Sequence, residues 1–315
     1  MNEMTTLTGE RVLVTGANGC IGAWVVKLLA AAGAEVVAFD LDRNESRHRL
    51  INAGELPEID WRQGDLTVPD DVLAAAEGVG RIIHLAALQI PFCRADPIQG
   101  ARVNVTGTVN VFEAARTQGV GAIAHASSIA VFGTAADYPD EILAGDAPRL
   151  ARTLYGVYKV ACEDLAKVYA ADHGIVSVGL RPHTVYGPGR DQGMTSLPSV
   201  AIQRALAAEA FHVDFGGTLD FQYAPDVAAA FIHASGLTLD GAPTFNLGGH
   251  VLSVAHFLAA VREVTGFAEL SCGVDPLPVV AGADATEWFE IAGGAAPTPL
   301  ADAIAASVEV FRSAI

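Results

Sequence analysis

The sequence predicts an α/β protein, a doubly wound parallel sheet with a smaller C-terminal lid, and three observations predict it. Short β-branched runs alternate with apolar-periodic helical runs from residue 11 to about residue 182. Successive runs fall within about 30 residues of one another, as in strand-helix-strand units whose strands must be parallel because the crossover returns the chain. Beyond about residue 183 the alternation gives way to short elements punctuated by Pro and Gly.

Taken in order, "RVLVTG" (11–16) reads as a strand, "IGAWVVKLLAAAG" (21–33) as a helix stopped by Gly33, and "EVVAFD" (35–40) as a second strand. "IDWRQGD" (59–65) and "RIIHLAA" (81–87) read as further strands, with the helix "PDDVLAAAEG" (69–78) between them. A helix over 99–119, the strand "GAIAHASS" (121–128), a helix over 152–174 and the strand "VSVGLRP" (176–182) continue the pattern. Helices on both faces of one sheet follow from this alternation. "HTVYGPGRDQG" (183–193) reads as a loop. Residues 1–182 with about 221–236 are assigned to the sheet domain, and about 183–220 with 237–315 to a lid over the sheet's carboxyl edge.

Composition excludes several function classes. The 315 residues carry 19 Lys plus Arg against 36 Asp plus Glu, a formal charge of -17, which disfavours a groove that tracks nucleic-acid phosphates. The N-terminal stretch has no basic region followed by an apolar one, and no run approaches the roughly 20 apolar residues of a membrane span. A cytoplasmic protein without a membrane or nucleic-acid partner is expected. Cys20, Cys93, Cys162 and Cys272 are scattered without metal-ligand spacing, so reduced thiols and no metal site are expected.

"TGANGCIG" sets Gly16, Gly19 and Gly22 between a strand and a helix, with Asn18, Cys20 and Ile21 interleaved. Gly16 permits a tight turn, Gly19 lets backbone approach a pyrophosphate and Gly22 allows close helix packing, while the helix start offers free N–H groups. This predicts a dinucleotide site. Asp40, ending the next strand, is placed to accept from the adenosine ribose hydroxyls and to repel a 2′-phosphate, which favours NAD over NADP. Arg43, three residues on, is the one cation that would soften that preference. Asp65, followed by Leu66 in "GDLT", either accepts from the adenine amino group or closes a turn. Leu85, Ala86 and Ala87 put mostly small residues where cofactor must lie near backbone, with His84 packed behind them.

"YGVYK" (155–159) holds two tyrosines, but only positions i and i+4 share a helix face, so Tyr155 pairs with Lys159 and Tyr158 projects elsewhere. An ordinary tyrosine, with a pKa near 10, is a poor base at neutral pH; lowering it by about 3 units takes roughly 4 kcal/mol of phenolate stabilisation. A neighbouring ammonium and an oxidised nicotinamide supply positive charge for that. The phenolate then takes the hydroxyl proton of a secondary alcohol as hydride leaves carbon for NAD. Paired serines at 127 and 128 end a strand at the ligand-binding edge, where one hydroxyl can hold the reacting oxygen.

"TGANGCIG", "GDLT", "HLAA", "NVTGTVN", "SSIAVFG", "YGVYK" and "LRPHTVYGPG" stand in the order found in the extended short-chain dehydrogenases/reductases, the NAD-dependent epimerase/dehydratase family. The chain resembles that family over about residues 10 to 265, which implies a Rossmann fold and NAD. The resemblance places the catalytic hydroxyl on Ser128, the base on Tyr155, the ribose-holding lysine on Lys159, a cofactor-side asparagine on Asn104 and a cofactor contact at Pro182. Dehydratases of the family carry Thr-Asp-Glu where this chain has Ser128, Ile129 and Ala130, so that branch is excluded. Thr184 stands where many members have a phosphate-touching asparagine, and Leu219 where many have a phosphate-clamping arginine. Leucine offers no planar fork of donors. A smaller substrate is therefore expected: a free sugar, sugar acid or lactone, met by Gln89, Ser128, His183, Arg190, Gln222 and Tyr223. The expected activity is dehydrogenation of a secondary hydroxyl, the alternative being sugar or nucleotide-sugar epimerisation on tightly bound NAD. Relatives that dimerise through helix pairs imply a homodimer, which Val160, Leu165 and Val168 permit.

Overall fold

The computed structural model describes residues 7–314. From the N-terminus come β1 (Arg11–Thr15), α1 (Cys20–Ala31), β2 (Glu35–Asp40), α2 (Ser46–Ile51), β3 (Asp60–Gln63), α3 (Pro69–Ala75) and β4 (Arg81–His84). There follow α4 (Ile90–Ala95), α5 (Pro97–Ala101), α6 (Gly107–Gln118), β5 (Ala122–Ala126), β6 (Ile142–Leu143), α7 (Leu154–His173) and β7 (Ser177–Arg181). The second half holds β8 (Thr184–Tyr186), α8 (Leu197–Leu206), β9 (Phe211–Val213), β10 (Thr218–Tyr223), α9 (Ala224–Ala234), β11 (Thr244–Asn246) and β12 (His250–Ser253). It ends with α10 (Val254–Thr265), β13 (Leu270–Cys272), β14 (Gly282–Ala283), α11 (Thr286–Glu290) and α12 (Leu300–Ser313).

Seven strands form one sheet in the order β11-β7-β5-β4-β1-β2-β3, every neighbouring pair parallel. Their side chains are apolar on both faces because helices cover both. Val12 and Val14 pack with Val25, Val26 and Leu29 of α1 and Phe231 of α9, whereas Leu13 faces Val72, Val111 and Phe112 on the α3 and α6 side. Winding runs outward in one direction through β2 and β3 and in the other through β4, β5 and β7. The reversal leaves a crevice beyond the carboxyl ends of β1 and β4, where ligands of such sheets bind.

A second core lies beyond this edge, where Tyr186, Phe221 and Phe257 pack against Ile202, Val261, Ile304 and Phe311. Its three-stranded sheet, β12-β10-β8, pairs β10 with β8 in parallel and with β12 antiparallel. Three sequence expectations are corrected. The stretch read as a loop contains β8. Residues 221–223, assigned to the large domain, finish β10 of the small sheet, while β11, inside the segment assigned to the lid, pairs with β7 and forms the edge of the large one. The single helix expected over 99–119 is interrupted by one π-helical turn at Arg102–Thr106, preceded by the short α5.

Among the described residues no helix is long and apolar enough to cross a membrane, and no group of His, Cys, Asp or Glu is arranged to hold a metal. The four cysteines are free thiols.

Candidate active site

A cleft of about 910 Å³ opens at the switch point. Gly16 leaves β1 with φ +71°, and a Cβ there would meet the Ala86 nitrogen at 2.7 Å, so two strand exits approach at a distance only glycine allows. A Cβ on Gly22 would strike the Gly16 carbonyl, which is why α1 can start so close beneath the turn. The first-turn N–H groups of Cys20, Ile21 and Gly22 have no intrahelical acceptors and point out of the helix start. Asp40 sits beside them. Its carboxylate accepts from the backbone N–H groups of Asn18 and Leu41, both at 2.8 Å, while burial pushes its carboxyl above the usual range. Arg43 is engaged elsewhere, donating to Glu45 at 2.8 Å and lying over the Trp61 ring. A narrow glycine cradle, free N–H donors and a ribose-level carboxylate without an adjacent free cation fit NAD.

The residues expected to be catalytic come from the segment after β5 and from α7. Thr153 caps α7 by accepting from the Gly156 N–H at 3.0 Å, and a Cβ on Gly156 would strike the Ala130 carbonyl, so the helix start is pressed against the end of β5. This brings Tyr155, Lys159 and Ser128 to the same cleft wall. Lys159 is buried, donates from Nζ to the Ala126 carbonyl at 2.6 Å and lies 5.7 Å from the Tyr155 ring centroid. The serines divide their roles. Ser127 donates to Glu163 at 2.5 Å, which commits its hydroxyl behind the strand, whereas the Ser128 hydroxyl accepts only the Ala130 N–H, at 3.2 Å.

Of the residues expected at the cofactor, Gly16, Asn18, Gly19, Cys20, Ile21, Gly22, Asp40, Asp65, Leu66, Leu85, Ala86, Ala87, Tyr155, Lys159 and Pro182 line the cleft. Asn104 does not. It is buried behind the wall, where Oδ1 accepts from the Leu88 N–H at 2.7 Å and Nδ2 donates to the Leu88 carbonyl at 2.9 Å, fixing the backbone that follows β4. Asp65 accepts from the Thr67 N–H and hydroxyl at 2.8 Å, the turn-closing role, while still bordering the cleft.

Of the residues expected at the substrate, Gln89, Ser128, His183 and Arg190 line the cleft, but Gln222 and Tyr223 do not. Gln222 is buried between the His183 N–H, Asp220 and the Leu247 carbonyl, and Tyr223 is buried against Tyr186. His183 borders the cleft with both ring nitrogens occupied. Nε2 must donate to the Val280 carbonyl, 2.9 Å away, so Nδ1 is the acceptor facing the Thr184 hydroxyl at 3.0 Å. Burial lowers its pKa to about 4, leaving a neutral imidazole that anchors a loop. Leu219 is buried in the second core, so its side chain leaves no vacancy in the cleft wall. Sequence reasoning missed Arg47, Leu277 and Val279 in the lining. Their positions, from α2 and a loop near β14, carry no local signal.

The chain is similar to known proteins along its whole length. A model described as the NAD dependent epimerase/dehydratase family matches residues 12–248. The UDP-glucose 4-epimerase of Mycolicibacterium smegmatis is 31% identical over 318 residues, covering 96% of this chain and 99% of its own. The structure of MoeE5 in complex with UDP-glucose and NAD shares a TM-score of 0.80 at 30% identity, over 96% of this chain and 99% of that one. The UDP-glucose 4-epimerase of Thermus thermophilus, in complex with NAD, shares a TM-score of 0.82 at 27% identity, over 97% of this chain and 100% of that one. With the glycine cradle, Asp40 and the Ser128, Tyr155 and Lys159 group sharing one cleft, this chain belongs to the NAD-dependent epimerase/dehydratase family and is an NAD-dependent enzyme of the extended short-chain dehydrogenase/reductase type.

Proposed function

We infer that the enzyme oxidises a secondary hydroxyl of a small carbohydrate-like substrate, a free sugar, sugar acid or lactone, acting in the cytoplasm. Ser128 hydrogen-bonds the reacting oxygen and Tyr155 takes its proton. Lys159 places positive charge beside the phenol and would hold the nicotinamide ribose. NAD, when bound in the glycine cradle beside Asp40, would supply the hydride acceptor. The observation that carries the small-substrate reading is the cation inventory of the cleft. Its described lining holds three strong cations, Arg47, Lys159 and Arg190. Arg47 is paired with Asp191 and Lys159 belongs to the catalytic group, so two diphosphates, one from NAD and one from a nucleotide sugar, would compete for Arg190 alone.

A second reading, nucleotide-sugar epimerisation, is favoured by the full-length similarity to a UDP-glucose 4-epimerase. Incubation with sugars, sugar acids and nucleotide sugars separates the two when NADH absorbance and product stereochemistry are followed together. Stoichiometric NADH is the expected outcome, and inversion without NADH accumulation would establish the second reading. UDP titration of the NAD-loaded enzyme is expected to show weak binding; a low-micromolar Kd would overturn the small-substrate reading.

The division of labour is part of the same proposal, the seven-stranded sheet holding NAD and the region around β8, β10 and β12 covering the substrate. So is a homodimer through α7, whose Leu154, Val157 and Val168 are exposed apolar positions, while Val160 packs inward beside Phe132 and Leu143.

A further inference from the structure

The segment from Gly187 to Thr195 leaves the small sheet and crosses the start of α1. Three donors pin it there. Trp24 Nε1 of α1 donates to the Pro188 carbonyl at 2.9 Å, and Arg47 of α2 donates through Nε to the Gly189 carbonyl at 3.0 Å and through Nη2 to Asp191 at 2.6 Å. The remaining Arg47 nitrogen, Nη1, donates to the Asn18 carbonyl inside the glycine loop at 2.7 Å, so one guanidinium joins loop and strap. Gly189 rides directly over the helix start. A Cβ there would lie 3.9 Å from Cys20 Cα and Sγ.

Arg190 is the next residue, and its surroundings differ from those of Arg47. It lines the cleft, donates from Nη2 to the Thr195 hydroxyl at 3.2 Å, leaves a buried Nε without a partner and makes no ion pair among the described residues. Burial pushes the Cys20 thiol up to about 11, and Arg190 is the foremost cation working against that shift, ahead of Arg47. A guanidinium without a counter-ion, one residue beyond Gly189 on the strap, therefore shares the cleft lining with Cys20, Ile21 and Gly22 and their free N–H groups at the positive end of the α1 dipole. Their common complement is an anion with several oxygens, and the NAD diphosphate has that chemistry.

We propose that Arg190 is a cofactor residue, closing over the NAD diphosphate from the lid side while the α1 N–H groups hold it from below. Arg47 is the positioning residue that sets the strap. The assignment rests on NAD dependence and is independent of the substrate. It also removes the last unengaged strong cation from the substrate side of the described lining.

The test is calorimetric titration of the purified full chain and its Arg190→Met variant with NAD and with ADP-ribose, which keeps the diphosphate and lacks nicotinamide. Both dissociation constants are expected to rise about 10-fold or more. Arg190→Lys, which keeps charge without the planar fork, is expected to recover part of the loss, and an unaltered ligand-free melting temperature separates lost binding from lost folding. Unchanged affinity for NAD and ADP-ribose would overturn the assignment.

Discussion

Tyr155 and Tyr158 sit three positions apart and their hydroxyls have different tasks. Tyr155 borders the cleft with Ser128 and Lys159, whereas Tyr158 gives its hydroxyl to the Pro97 carbonyl at 2.9 Å. Tyr155→Phe is expected to lower kcat by about 10²- to 10⁴-fold, the usual contribution of a positioned proton-transfer group, with NAD affinity retained. Tyr158→Phe removes one structural hydrogen bond of about 1 kcal/mol and is expected to leave turnover near wild type. Steady-state kinetics with parallel NAD titration checks both, and a reversed rank would refute the placement of the base. That Tyr155, Lys159 and the glycine loop share one cleft was legible because the i, i+4 rule and the glycine spacing act within a few positions of chain. Gln222 and Tyr223 were misplaced for the opposite reason. Where a strand side chain points depends on register with β8 and β12, and polar Gln222 is satisfied internally by partners 2, 25 and 39 positions away, a pattern no local spacing announces. The buried role of Asn104 also depends on a long-range partner, the Leu88 backbone, although its place near the cofactor wall was readable.

At the scale of elements, α7 carries the proposed catalytic pair and its anchorage on the same face. Tyr155, Lys159 and Glu163 follow at i, i+4 and i+8. Glu163 is buried, accepts from Arg181 through both oxygens at 2.7 Å, from Ser127 at 2.5 Å and from Arg149 at 3.1 Å. The helix is thereby locked to the ends of β5 and β7 just below the reacting groups. Removing one member of such a cluster strands a buried guanidinium, so Glu163→Ala is expected to cost about 3–5 kcal/mol in chemical denaturation, and Glu163→Gln less because a hydrogen-bonding oxygen remains. A loss below about 1 kcal/mol would show that Arg181 finds another partner. The helix itself was plain in the sequence, which put it over 152–174 against the observed Leu154–His173. β8 and β11, at three residues each, are too short to display a period of two, and tertiary pairing alone makes them strands. The π-helical turn that turns Asn104 inward has no compositional mark at all.

Across the whole molecule, a polar thread ties the two sheets together beneath the cleft. Gln222 of β10 takes the His183 N–H after β7, gives to the Leu247 carbonyl after β11 at 2.8 Å, and gives to Asp220 at 2.7 Å, while His183 reaches on to Val280 beside the cleft-lining Val279. Asp220 is fully buried, its second oxygen has no partner, and burial raises its carboxyl from 3.8 to about 6. Below about pH 4 the group is protonated folded or unfolded and costs nothing; above about pH 6 it is ionised in both states and the fold bears the full cost of a buried charge. Its contribution to stability therefore falls as pH rises between those limits, by about 3 kcal/mol at most. His183 works in the other direction, as do the buried His48 and His125, since pKa values lowered to about 4 make the unfolded chain the stronger proton binder over the same window, so the wild-type profile alone mixes several slopes. Asp220→Asn removes one of them. Subtracting the two melting profiles cancels the three histidines, which both proteins share, and the variant is expected to gain on the wild type steadily as pH is raised from about 4.5 to about 6.5. A difference that stays constant across that range would show that Asp220 does not titrate there, and the thread would then join the sheets without conferring this pH dependence.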